Sequence, residues 1–134
     1  MSNNYPYGYQ NQDTYLIPTE DRTAAALAHG STLIALVFSV GSLPFLGPLV
    51  MWLLYKDRSQ YVRRAAASAF NFNIWLTLAN IVAWILIFTV IGIPVAAFIF
   101  LVTTVMQVWC HLRATLKSLN GSDYRYPFQT RILS

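Results

Sequence analysis

AAASAFNFNIWLTLANIVAWILIFTVIGIPVAAFIFLVTTVMQVWCHL, residues 65–112, contains no Asp, Glu, Lys or Arg. At about 48 residues it is more than twice the roughly 20 that one helix needs to cross a bilayer core. Gly92-Ile93-Pro94 punctuates it near the middle. The stretch therefore predicts two membrane helices with a tight uncharged turn between them. The first runs from about Val62 to Val90. The second starts at Pro94, a favoured first helical residue, and ends near Leu119, where Asn120-Gly121 supplies a C-cap.

Immediately before this stretch, Lys56-Asp57-Arg58-Ser59-Gln60-Tyr61-Val62-Arg63-Arg64 holds four cations against one acid. Basic residues flanking apolar spans stay on the cytoplasmic side, so Lys56, Arg58, Arg63 and Arg64 place this loop in the cytoplasm. Further back lies a second uncharged window, residues 23–55. Thr19-Glu20-Asp21-Arg22 opens its first helix with an N-cap threonine and acids suited to the positive helix end. Gly41-Ser42-Leu43-Pro44-Phe45-Leu46-Gly47-Pro48 then interrupts any straight helix, and Leu49 to Tyr55 resumes it. A single span from Leu33 to Tyr55 would be long enough but would put two prolines and two glycines in mid-membrane. A hairpin with short or tilted arms, anchored by Arg22 and Lys56, is the preferred reading.

The composition agrees. The 134 residues are 56% hydrophobic and 10% charged with a mean hydropathy of +0.46, where soluble chains carry roughly 25% charge. A formal charge of +4 and a pI near 9.5 would suggest nucleic acid in a soluble protein. Here the cations flank apolar spans, so no nucleic-acid partner is expected. Residues 1–18, with Tyr5-Pro6-Tyr7-Gly8-Tyr9-Gln10-Asn11-Gln12, read as a disordered Tyr/Asn/Gln-rich tail. No secretory leader is expected, because neither a basic start nor an early apolar run is present. The expected fold is an all-α, polytopic integral membrane bundle of four helices in two hairpins. It covers residues 19–120 and is followed by a cytoplasmic segment, 121–134, carrying Arg125 and Arg131. Both termini are expected in the cytoplasm and the bilayer is expected to be the plasma (inner) membrane; an external N-terminus would instead mean three crossings.

Polar residues within the windows recur at helical spacing. Asn73, Thr77, Asn80 and Trp84 share one face of the third helix; Thr103, Gln107 and His111 share one of the fourth; Ala24, Ala28 and Thr32 lie beside His29 in the first. Each stripe is expected to face the bundle interior, as interhelical adhesion or as the lining of a polar pathway. The absence of any carboxylate or ammonium group in either window argues against pump chemistry. His29 and His111, at comparable depth, would suit axial haem ligation, but such histidines more often bond a neighbouring carbonyl. No cofactor, metal or catalytic site is expected. Cys110, the single cysteine, reads as a small buried hydrophobe. No phosphate loop, zinc-protease motif or carboxylate pair appears, so the chain does not read as an enzyme.

Several fragments together resemble a bacterial membrane family, the domain of unknown function four-eight-seven-zero, related to the chloroplast import component Tic-twenty. They are Glu20-Asp21-Arg22, Leu27-Ala28-His29-Gly30-Ser31, Leu46-Gly47-Pro48-Leu49 with Trp52, Lys56-Asp57-Arg58-Ser59, Val62, Ala69-Phe70-Asn71-Phe72, and Gly121 to Phe128 with Arg131. Members often carry a histidine and a Gln or Glu just before the Asn-Phe pair, where this chain has Ala65 and Ser68. The resemblance implies a compact four-helix membrane domain and, by analogy with the plastid relatives, a part in protein translocation. Two functions are therefore expected to compete. One is a non-enzymatic scaffold or accessory subunit that binds a membrane protein partner or a second copy of itself. The other is a Tic-like channel or translocation subunit.

Overall fold

The computed structural model describes residues 17–39, 41–128 and 130–134; the expected disordered tail lies almost wholly outside them. Four helices follow in order: α1 Thr19–Phe38, α2 Leu46–Tyr55, α3 Gln60–Ile87 and α4 Gly92–Leu119. No strand occurs among the described residues. α1 packs on α2, α3 and α4, while α3 packs on α2 and α4. The result is the all-α bundle of two hairpins that the sequence predicts.

Local chemistry explains the boundaries. Pro18, not Thr19, is the N-cap of α1, so Thr19 sits one position inside and its hydroxyl accepts from Arg22 Nη2. At the other end Gly41, with φ of 80°, returns its N–H to the Leu36 carbonyl. That positive φ needs no strain only at glycine. α2 begins at Leu46, ahead of Pro48, because a proline within the first turn loses only an N–H that has no helical partner anyway. Pro94 stands equally early in α4, and the same reasoning moves that helix's start forward to Gly92. α3 starts at Gln60, capped by Ser59, whose hydroxyl accepts from the Val62 N–H and donates to Asp21 Oδ2 at 2.7 Å. One serine thus caps α3 and ties it to the first turn of α1. Gly121, φ 74°, lets the Ser122 N–H close α4 on the Lys117 carbonyl.

Lengths differ sharply. α3 and α4, 28 residues each, are long and apolar enough to cross a membrane, whereas α2 has 10 residues. At 1.5 Å per residue α2 covers about 15 Å, half of a bilayer core. By length and composition two of the described helices, α3 and α4, are candidate crossings, which is fewer than the four-crossing arrangement expected from the sequence with short or tilted arms in its first hairpin. The packed centre is rich in alanine: Ala24, Ala25, Tyr61, Val62 and Ala65 at the charged end, then Ala69, Phe72, Leu76, Cys110, Ala114 and Tyr126 further in. Small side chains bring helix backbones close together, which is how helices gain packing where lipid removes the hydrophobic drive.

Candidate functional site

The three predicted stripes meet. Asn73 Nδ2 donates to Thr32 Oγ1 at 3.0 Å, tying α3 to α1, and Asn73 Oδ1 lies 3.2 Å from His111 Nε2 on α4. His29 and His111 face each other with ring centroids 6.4 Å apart. Between them stands Tyr126, whose Oη is 2.8 Å from His29 Nδ1 and 2.8 Å from His111 Nδ1. All five side chains are buried.

The network has one direction. Asn73 Oδ1 only accepts, so His111 Nε2 carries a proton and donates to it; neutral His111 then has a bare Nδ1. Tyr126 O–H donates to that nitrogen and accepts in turn from His29 Nδ1–H. Burial pushes the Tyr126 phenol well above its ordinary value, which keeps the proton on Oη and the chain of donors intact. Tyr126 also stacks on Phe72 at 4.5 Å and meets Tyr124 edge-on at 4.9 Å.

Tyr126 belongs to the C-terminal segment, which folds back along the bundle. Asn71 brackets it: Nδ2 donates to the Leu133 carbonyl, and Oδ1 accepts from the N–H groups of Ile132 and Leu133. Trp75 Nε1 donates to Thr130 Oγ1 at 2.6 Å, and Trp52 Nε1 to the Ser134 carbonyl at 3.3 Å. The segment thereby touches α1, α3, α4 and the end of α2. Sequence reasoning singled out neither Asn71 nor Tyr126 as a site residue; both lie off the polar stripes, and only their place in the resembling fragments pointed to them.

A second polar layer lies deeper. Thr103 Oγ1 donates to Asn80 Oδ1 at 2.7 Å, so Asn80 is satisfied from α4 rather than from α1 or α2. Gln107 sits between Thr103 and His111 on α4, wholly buried, and neither its amide nitrogen nor its amide oxygen has a partner. Trp84, the last member of the α3 stripe, is half exposed and packs edge-on against Phe100. The stretch expected to be one basic loop is divided: Lys56, over the Trp52 ring at 5.5 Å, and Arg58 are exposed between α2 and α3, whereas Arg63 and Arg64 are half-buried in the first turns of α3, Arg64 pairing with Asp123 at 3.4 Å.

No group of three or more His, Cys, Asp or Glu is placed to hold a metal ion among the described residues. Both ring nitrogens of His111 are committed, to Tyr126 and Asn73, so the His29 and His111 pair does not fit axial haem ligation without breaking the network. An apolar groove of about 690 Å³ runs between α3 and α4, with Pro127 and Phe128 at its edge. What the buried side chains accomplish is fastening four elements to one another.

A profile of the magnetosome magnetite crystal formation protein family matches residues 20–133. No curated protein and no solved structure matches the chain. The match overturns the resemblance to the domain of unknown function four-eight-seven-zero and to Tic-twenty, and with it the Tic-like translocation reading. The shared fragments are those of a small helical membrane domain, and such pieces report architecture before they report function.

Proposed function

Because this chain belongs to the magnetosome magnetite crystal formation protein family, we propose that it is a non-catalytic component of the magnetosome membrane that supports crystal formation by organising partner proteins. Its charged end, with Lys56, Arg58, Arg63 and Arg64, faces the cytoplasm together with both termini. Its partners are the bilayer and either another membrane protein or a second copy of itself. The observation that supports this most is how the buried polar groups are used: His29, Tyr126, His111, Asn73 and Thr32 bond one another. Groups that bond each other inside a bundle hold helices together and are poorly placed to turn over a substrate.

The test is a deletion strain carrying variant genes, with crystals examined by electron microscopy and the protein purified in gentle detergent to identify what accompanies it. His111→Gln keeps hydrogen-bonding capacity and removes acid–base chemistry; it is expected to leave crystals normal once membrane insertion is verified. Replacing Lys56 and Arg58 with Gln is expected to disturb crystals and strip the accompanying proteins. Inserted His111→Gln protein without normal crystals would overturn the non-catalytic reading. Normal crystals in the deletion strain would overturn the role in crystal formation.

A further inference from the structure

Relative heights in the bundle follow from contacts already described. The Asn73 to Thr32 bond sets α1 against α3, so Phe38, where α1 ends, stands level with about Ala79. α3 continues to Ile87, roughly eight residues and about 12 Å further at helical rise, with α4 beside it. α2 reaches no higher: a Cβ on Gly47, near its start, would lie 2.6 Å from the Ser31 carbonyl oxygen, just below Thr32. The far end of the molecule is therefore two helices wide. The near end holds four helices and both ends of the C-terminal segment, with Tyr126 set between α1 and α4 and Ser134 reaching Trp52 on α2; between them the segment rises along α3 as far as the Trp75 bond to Thr130.

Chemistry divides along the same axis. Residues 23–55 and 65–112 carry no charge, so the charged groups of the helices themselves lie at the broad end; Arg131 is the exception, carried partway up α3 between the Thr130 bond to Trp75 and the Ile132 bond to Asn71. The narrow end is apolar and open: Phe88 and Ile91 are 89% exposed and Val90 87%. Side chains of that kind are costly to leave in water and at home among acyl chains. The broad end thus lies at the headgroups of one face, and the narrow end lies in lipid toward the other.

We propose that this chain is a membrane wedge whose partner is the bilayer itself, favouring bilayers curved so that its charged end lies on the convex face. A body that is broad in one leaflet and narrow in the other packs without voids only where the first leaflet is expanded relative to the second. This goes beyond the reading above and does not depend on it, since it rests on helix lengths, register and the placement of charge.

The experiment uses the full chain, fluorescently labelled on its N-terminal tail and reconstituted into giant vesicles of phosphatidylcholine and phosphatidylglycerol. A narrow tube is pulled outward from each vesicle, making the outer leaflet convex. Protease added outside removes the label from molecules whose charged end faces outward, so the two orientations are scored separately. Molecules with the charged end outward are expected to be enriched several-fold on the tube relative to the vesicle body. Those with the charged end inward are expected to be depleted. Equal density on tube and body in both orientations overturns the proposal, as does enrichment that ignores orientation. Crystal phenotypes play no part in this readout, so its failure is separable from failure of the proposed function.

Discussion

Tyr126 joins α1, α4 and the C-terminal segment through a single oxygen, and its removal is a clean experiment. Tyr126→Phe keeps the stack on Phe72 and leaves the Nδ1 atoms of His29 and His111 without their partner. Stranding two buried ring nitrogens is expected to cost about 2 kcal/mol, since each unmet buried group costs about 1–3 kcal/mol and membrane hydrogen bonds fall at the low end. Unfolding in mild detergent measures it, and an unchanged midpoint would show that the ring alone matters. Gln107 predicts the opposite sign. Its amide is buried without a partner, so Gln107→Leu, similar in volume, is expected to raise stability by about 1 kcal/mol. A fall in the same assay would mean that the amide has found a partner of its own. Asn80→Leu, which breaks the bond with Thr103, is expected to lower stability, so two buried amides on facing stripes respond in opposite directions.

Among the elements, the α1 and α2 hairpin depends on one close approach. A Cβ on Gly47 would fall 2.6 Å from the Ser31 carbonyl oxygen, so Gly47→Ala forces α2 away from α1 and is expected to destabilise by about 1–3 kcal/mol. Gly30, also helical, has only Thr115 Oγ1 within reach at 3.9 Å, and Gly30→Ala is expected to gain up to about 1 kcal/mol from helix propensity. Thermal midpoints of the two variants should move in opposite directions. This contrast also marks how far the sequence could be read. The four helices, the turn near Gly92 and the Asn120-Gly121 stop were legible because charge and breakers delimit them. The polar stripes were legible because helical spacing is a local property. The Ser59 cap was hidden inside a loop read only for its charge. The brevity of α2 was legible from the breakers before Leu49 and the cation at Lys56, whereas how deep that hairpin reaches is nothing composition can say. Tyr126 and Asn71 were hidden for a different reason: they act through a segment beyond the last helix, and no periodicity connects a tail to the core it enters.

At the scale of the whole molecule, the uneven reach of the two hairpins makes a prediction about access. In a Cys110→Ala background, Asp57→Cys is expected to react with a membrane-impermeant maleimide from the face carrying the basic loop. Val90→Cys, at the apolar tip, is expected to resist reagent from either face until detergent is added. Rapid labelling of Val90→Cys from the opposite face would place the tip in water. The return of the C-terminal segment bears on how the protein is made. Its anchoring residues, Tyr126, Thr130, Leu133 and Ser134, all follow the last helix in the chain. All four helices must therefore enter the membrane while His29 and His111 still lack the hydroxyl that joins them, and with Asn71 unbound. Assembly is completed only once this segment has been made and has folded back, so a chain truncated before Tyr126 would carry every helix and still present an unfinished polar face.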